Sequence, residues 1–323
     1  MEGPVTVACV QAEPAILDRE ATIDKLEQLA AEAARNGAGL VVFPETFVAV
    51  YPSSRWAKAF AGWQNAGAKE TFALIAQSAV AVGSPAERRL GAAAKALGIW
   101  LVTGVNEVEP DRPGTIYNAL LYHGPDGELA LHHRKLVPTN HERLVWGQGD
   151  GRGLHTIDTD AGRVGGLICW ENYMPLARFA VYESGVEVYV ASTADDSDEW
   201  QSTLVHIARE SRAYVVAPCH FQRASSYPDD FPLRSELDGA DLLGRGGSAI
   251  LAPDGSYVAG PAYDEETILY AELDPARLLA ERQRFDPVGH YHRPDVLRLG
   301  VSPAARAADA TTSTRPSGQS DRP

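Results

Sequence analysis

Twice along this chain, short apolar runs of strand length alternate with stretches of helical period, and each series ends in a hairpin signal. The first series opens with a strand over 5–11 (VTVACVQ). A helical stretch follows in which Ile23, Leu26, Leu29, Ala30 and Ala33 recur, then a strand over 40–43. Pro85 opens a helix to Leu97 and Gly98 ends it. A strand over 99–105 follows, with a hairpin of 119–122 and 128–131 around Gly124-Pro125-Asp126-Gly127. The second series runs from a strand over 164–169 to a helix over 175–184 and a strand over 186–191. Trp200, Leu204, Ile207, Ala208 and Ser211 then mark a helix, followed by a strand over 214–218. A hairpin of 248–251 and 257–259 closes it around Pro253-Asp254-Gly255. Strands separated by helices predict parallel pairing, and the hairpins add antiparallel strands. The match between the halves is one of element order, not of residue identity. Helices at every second element cover one face of each sheet, and the other face must also be buried. Packing the sheets on each other achieves this. The expected fold is α/β, a four-layer α-β-β-α sandwich built from two similar halves; a single doubly wound sheet is the alternative.

Local signals agree with this reading. Asp18 or Thr22 can cap the first helix, and Gly37 stands where a helix-ending glycine belongs. Residues 51–84 are less regular and contain a helix-like run over 68–82. From Ser302 the chain is Ala, Ser, Thr, Pro, Gly and charge, with too few large apolar groups to offset chain entropy. One domain over 1–300 and a disordered tail over 301–323 are expected.

Composition removes several classes of function. The 323 residues are 45% hydrophobic, enough for one large core or two small ones. With 29 basic against 43 acidic residues the formal charge is −14, which argues against binding nucleic acid or an anionic membrane. No window approaches about 18 apolar residues, so no transmembrane helix is expected. Met1-Glu2-Gly3-Pro4 leads straight into a strand and lacks the basic and apolar regions of a signal peptide. The three cysteines, Cys9, Cys169 and Cys219, include no CxxC pair and suit reduced thiols of a cytoplasmic protein. His132 and His133 are adjacent, so a strand points them to opposite faces, and no metal-ligand cluster is read.

The chemistry gathers at three strand ends. Glu45 follows the second strand of the first half, Lys135 ends that half's last strand, and Cys169 ends the first strand of the second half, behind Gly165-Gly166. In open α/β folds the C-terminal ends of strands face the site. If the halves pack with like ends together, the three residues share one crevice. A thiol needs a base to become a good nucleophile. Glu45 can be that base if burial raises its pKa toward neutrality. Lys135 can hold charge that develops on a substrate and favours the thiolate. Each has a plainer reading: a helix N-terminal carboxylate, a solvated charge, a small buried hydrophobe. Cys9 and Cys219 lie within apolar strands and read as inert. His206 sits off the apolar face of its helix and reads as a structural hydrogen-bonding residue.

Several stretches resemble the nitrilase branch of the carbon–nitrogen hydrolase superfamily. They are Phe43-Pro44-Glu45, His133-Arg134-Lys135-Leu136-Val137-Pro138-Thr139 and Cys169-Trp170-Glu171-Asn172-Tyr173-Met174-Pro175. Residues 142–151, 206–208, 245–248 and 293–295 extend the likeness over about residues 4–300. The resemblance implies the four-layer sandwich and a Glu-Lys-Cys triad of Glu45, Lys135 and Cys169, with a second glutamate at Glu142. It implies a pocket tyrosine at Tyr51, and Trp170 and Trp146 are candidate walls. It implies no metal or organic cofactor, and association into homo-oligomers, dimers or larger and in some cases spirals, through the helical face near the cysteine strand. The activity implied is hydrolysis of a nitrile to the acid and ammonia through a thioimidate and a thioester. An amidase or a cyanide dihydratase using the same triad is the near alternative. A catalytically silent assembly module is the distant one.

Overall fold

The computed structural model describes Met1 and residues 3–302. The disordered tail expected over 301–323 falls, from residue 303 onward, outside the described residues. The first half comprises β1 (Val5–Gln11), α1 (Arg19–Arg35), β2 (Leu40–Val42), α2 (Ala57–Phe60), α3 (Ala66–Ser78) and α4 (Pro85–Leu97). The strands β3 (Trp100–Glu109), β4 (Arg112–His123) and β5 (Leu129–Arg134) complete it. The second half comprises β6 (Ile157–Thr159), β7 (Gly162–Gly166), α5 (Pro175–Glu183), β8 (Val188–Val190), α6 (Asp198–Ser211) and β9 (Tyr214–Ala217). It continues through β10 (Phe221–Arg223), β11 (Leu242–Leu251), β12 (Tyr257–Tyr263), β13 (Thr267–Leu273) and α7 (Pro275–Arg284).

Helix ends follow the local chemistry. Asp18 caps α1 by accepting from Ala21 N–H, and Ser84 caps α4 ahead of Pro85. Gly98 ends α4 in the left-handed conformation, φ +64°. The helix expected over 68–82 starts earlier and stops at Ser78. Val80 instead pairs with Glu107 beside β3, so sheet pairing overrides helical propensity there.

The strands form two mixed sheets. One has the order β13-β1-β2-β3-β4-β5 and the other β10-β11-β9-β8-β7-β6, with β12 paired to β11. In each, three strands joined by helical crossovers run parallel, β1-β2-β3 and β7-β8-β9, and hairpins supply the antiparallel neighbours. Three apolar layers separate four structural ones. Ile23, Leu26, Leu90 and Ala94 of α1 and α4 pack on Val41, Leu101 and Leu121. Val7, Val42, Leu120, Val188, Val216 and Ile250 meet between the sheets. Val181, Trp200, Leu204 and Ile207 of α5 and α6 cover Tyr189, Val215 and Leu251. The fold is therefore the α-β-β-α sandwich expected. The halves are not separate, because β13 crosses over and pairs antiparallel with β1 along its full length, Val5 opposite Leu273. That strand, α7 and the long β3–β4 hairpin were not anticipated. No helix among the described residues is long and apolar enough to cross a membrane.

Candidate active site

The three strand ends meet where the sheets face each other. Pro44 and Glu45 turn sharply off β2 and press against β3 at Gly104. A Cβ on Gly104 would stand 2.0 Å from Pro44 O, so only glycine admits this turn. Beyond β7, Leu167 and Ile168 lead to Cys169, which holds φ +50° and opens one 3-10 turn, Cys169–Tyr173. A left-handed non-glycine residue is strained, and such residues cluster at functional sites. Its N–H donates to Ser192 O at 2.9 Å, which ties the turn to the end of β8. Lys135 is the first residue after β5, and its N–H donates to Asn118 O on β4.

The polar groups form one buried chain. Lys135 Nζ donates to Glu45 Oε1 and to Glu142 Oε2, each at 2.8 Å. Glu45 Oε1 also accepts from Asn118 Nδ2 at 2.7 Å, and its Oε2 accepts from Ala194 N–H at 3.0 Å. Glu142 Oε2 takes Thr139 N–H, and its Oε1 takes the Tyr51 hydroxyl at 2.5 Å. Two carboxylates thus share one ammonium, with Glu45 and Lys135 both essentially without exposure. Thr193 Oγ1 lies 3.1 Å from Cys169 Sγ.

Electrostatics sets the resting protonation. Burial raises the Glu45 pKa, Lys135 pulls against it, and Glu142 adds to the rise. Lys135 remains a cation: burial opposes its charge, but Glu45 and Glu142 more than offset that. Burial pushes the Cys169 thiol up, and Glu45 pushes it further, against Lys135. Lys135 does pull toward the thiolate, but burial and Glu45 outweigh it and the net shift is upward. In a dry site beside two carboxylates, one ammonium does not hold the sulfur ionised. The proton stays on sulfur until a base takes it.

A cavity of about 850 Å³ opens over this cluster. Cys169, Glu142, Tyr51, Trp146 and Trp170 all line it, while Glu45 and Lys135 lie behind the wall. Tyr51 stacks on Trp146 with ring centroids 6.3 Å apart. Trp146 is both wall and core: it is buried and donates its indole N–H to Asn106 Oδ1. Trp170 is half-exposed at the rim, with its indole N–H on Asp195 Oδ2 at 2.6 Å. Asp195, Asp196 and Glu199 add negative charge along the same rim.

Other sequence assignments divide. His132 and His133 do face opposite ways, to Glu107 and Glu171 respectively. Cys9 is buried in β1 and its thiol is held protonated by burial. Cys219 is also buried with a raised pKa. It lies past the end of β9, however, paired with Thr193 near the site, not inside a strand. His206 is no structural anchor: its side chain is 61% exposed and only faces Glu210, at 3.6 Å.

Several residues around the site were not read from the sequence. Asn118, Thr193, Ala194, His220 and Glu171 all bond to the cluster or to its turns. His220 donates from Nε2 to the backbone carbonyl of Glu45, and burial lowers its pKa to about 4, so the ring is neutral. Glu171 is a link between the two sheets. Its Oε1 accepts Leu136 N–H at 2.7 Å, and its Oε2 accepts Ile168 N–H and His133 Nε2, each at 2.9 Å. It thereby binds the neighbours of both Lys135 and Cys169. Burial works to raise its pKa, but His133 and the two amides outweigh it and the net shift is down. Its contribution is thus complete above the ordinary carboxylate range and is lost as pH falls through its lowered pKa. Glutamine offers only one oxygen, so Glu171→Gln must leave one amide facing an NH2 group. Urea unfolding should show a loss of about 1–3 kcal/mol; an unchanged midpoint would mean the link carries no weight. A strand-interior asparagine in Tyr117-Asn118-Ala119 was an available signal, since strands disfavour asparagine. Thr193 and His220 follow β8 and β9, so the strand-end rule applied to every strand would have found both.

An acid–amine–thiol cluster thus stands where the strands of two sheets packed face to face end. The carbon–nitrogen hydrolase family model matches residues 6–283, and the chain belongs to that family, in its nitrilase branch. It is 43% identical over 304 residues to an aliphatic nitrilase of Sinorhizobium fredii, covering 94% of this chain and 97% of that one. It is 41% identical over 315 residues to a bifunctional nitrilase/nitrile hydratase of Nicotiana tabacum, covering 96% and 89%. Among solved structures, a carbon–nitrogen hydrolase from Helicobacter pylori aligns with a TM-score of 0.70 over 96% of this chain and 99% of its own, at 20% identity. That likeness concerns the fold.

Proposed function

We propose that this protein hydrolyses an organic nitrile to the carboxylic acid and ammonia, with Cys169 as nucleophile, and that residues 1–300 act as one domain. The observation that carries the reading is the buried Glu45–Lys135–Glu142 chain ending beside Cys169 at the cavity wall. The relatives named nitrilases at about 40% identity favour a nitrile over an amide or cyanide as substrate.

The geometry suggests the following sequence. Glu45 takes the proton of Cys169. Its Oε2 bonds only Ala194 N–H and keeps acceptor capacity, while Oε1 is already engaged twice. Sulfur bonds to the nitrile carbon, one C–N π bond breaks, and the proton passes to nitrogen, giving a thioimidate. A first water adds with Glu45 as base, and Lys135 stabilises the tetrahedral species. Ammonia leaves and a thioester remains. A second water releases the acid and restores the thiol. Glu142 also holds Lys135 and is itself held by Tyr51. Tyr51, Trp146 and Trp170 form substrate walls, and no cofactor takes part. Collapse of the tetrahedral species by loss of sulfur would release amide, and the tobacco relative's bifunctional name fits a minor amide product.

Tyr173 and Leu176 leave apolar surface exposed beside α5, which suits self-association through that helical face into dimers or larger assemblies. Three free, buried cysteines suit a reducing, cytoplasmic setting.

The test is ammonia release from an aromatic nitrile, an arylacetonitrile, an aliphatic dinitrile, cyanide and the matching amides. Each is run with the native chain and with Cys169→Ala. Release from nitriles that disappears in the variant is expected. Release from amides alone would transfer the protein to amide hydrolysis, and release that survives the variant would remove Cys169 from the mechanism.

A further inference from the structure

Thr193 has no role in the sequence reading, yet it touches the reacting atom. It follows β8, is wholly buried, and its N–H is fixed on Pro218 O at 3.0 Å. Its hydroxyl oxygen accepts Asp195 N–H at 2.9 Å and lies 3.1 Å from Cys169 Sγ. One of the oxygen's two lone pairs takes that amide, and the single hydroxyl proton is free to point at sulfur. A threonine side chain is stiff at χ1, so the oxygen is kept in this place, and its O–H turns to the acceptor beside it.

We propose that Thr193 is a further catalytic residue, whose hydroxyl donates a hydrogen bond to Cys169 Sγ and holds the thiolate formed when Glu45 takes the thiol proton. The proposal rests on Cys169 being the nucleophile. Threonine itself gains and loses no proton. The S–H proton goes to Glu45, the C–S bond forms as one C–N π bond breaks, and the hydroxyl stays hydrogen-bonded throughout. A hydrogen bond to a charged acceptor is stronger than one to a neutral one. The contact is therefore worth most at the thiolate and least at the thioimidate and thioester, whose sulfur is a poor acceptor. This differential favours attack, and it favours again the final collapse in which sulfur leaves as thiolate. It complements Lys135: two of the three Nζ donors are on Glu45 and Glu142, whereas Thr193 bonds the sulfur directly.

The experiment compares Thr193→Val, which keeps the shape and removes the donor, with Thr193→Ser, which keeps the donor. Thr193→Ala is run alongside in case valine unsettles the segment. Nitrile turnover is measured together with the pH dependence of Cys169 alkylation by iodoacetamide, resolved from Cys9 and Cys219 by peptide mass spectrometry. Valine and alanine should lower kcat/KM roughly ten- to a hundredfold at neutral pH and move the alkylation profile up by about one to two pH units. Serine should restore both. A purely structural role would reduce folded protein without moving the alkylation profile. Valine and alanine variants with unchanged kcat/KM, an unmoved profile, or a serine variant as impaired as valine would each overturn the proposal. Cys169→Ala serves as the parallel control. Activity in that variant would fail the nucleophile reading, whereas an inactive Cys169→Ala beside an unimpaired Thr193→Val fails only the Thr193 assignment.

Discussion

Glu45→Gln should reduce kcat/KM by about 10²–10⁴-fold and abolish the acid limb of its pH profile. The reasoning starts from burial. Glu45 has no exposure, and its pKa is raised by burial in spite of Lys135. As a base it works only when ionised, so activity rises with pH through that raised pKa. The acid limb of the native enzyme should therefore lie above the ordinary range for glutamate. The stability sign is opposite: a raised carboxyl pKa stabilises the fold at low pH, and that contribution is lost as pH climbs through the folded value. Glutamine cannot titrate, so the residual rate should be flat across this range. Its oxygen still accepts from Asn118 and Lys135, and only the contact with Ala194 N–H is sacrificed. The variant should therefore remain folded. Rate profiles from pH 5 to 9 with a melting curve for each variant check this, and an acid limb that persists in Glu45→Gln would assign the titration to another group.

Lys135→Met should be both inactive and unstable, and for one reason. Among the described residues, Lys135 is the only ammonium bonded to Glu45 and Glu142. Methionine matches its length and removes its charge, leaving two carboxylates facing each other in a buried site. Removing one partner from a buried ion pair costs about 3–5 kcal/mol. Loss of the group proposed to balance the tetrahedral species should cost a further factor of about 10²–10³ in turnover. Adding Glu142→Gln to Lys135→Met should recover part of the stability, because one of the unpaired charges is gone, and none of the activity. Urea unfolding and ammonia release separate the two effects. Full stability in the single variant would contradict the buried-pair argument, and activity regained in the double variant would contradict the role given to Lys135.

Much of this could be read in the linear chain because it depends on local periodicity. Ile23, Leu26, Ala30 and Ala33 form one helical stripe wherever the helix lies, and Val5–Gln11 is apolar enough to be a buried strand in any sheet. The rule that chemistry sits at strand ends brought Glu45, Lys135 and Cys169 into view before any contact was known. Their spacing in sequence, 90 residues from Glu45 to Lys135, says nothing of their 2.8 Å contact. Only packing of the two sheets closes that distance.

What the sequence by itself determined is most of the elements, the two-sheet architecture and the candidate reactive side chains, because each follows from short-range pattern and chemical type. What the tertiary structure alone decided is how those side chains ionise and what holds them. β13 crosses to pair with β1, since a seven-residue strand is satisfied by any free edge that its apolar face can reach. Glu171 binds the lysine and cysteine segments together, and Thr193 meets the sulfur, through contacts between residues far apart in the chain. The thiol stays protonated because desolvation, a property of the folded interior and of no single residue, outweighs the charge of Lys135.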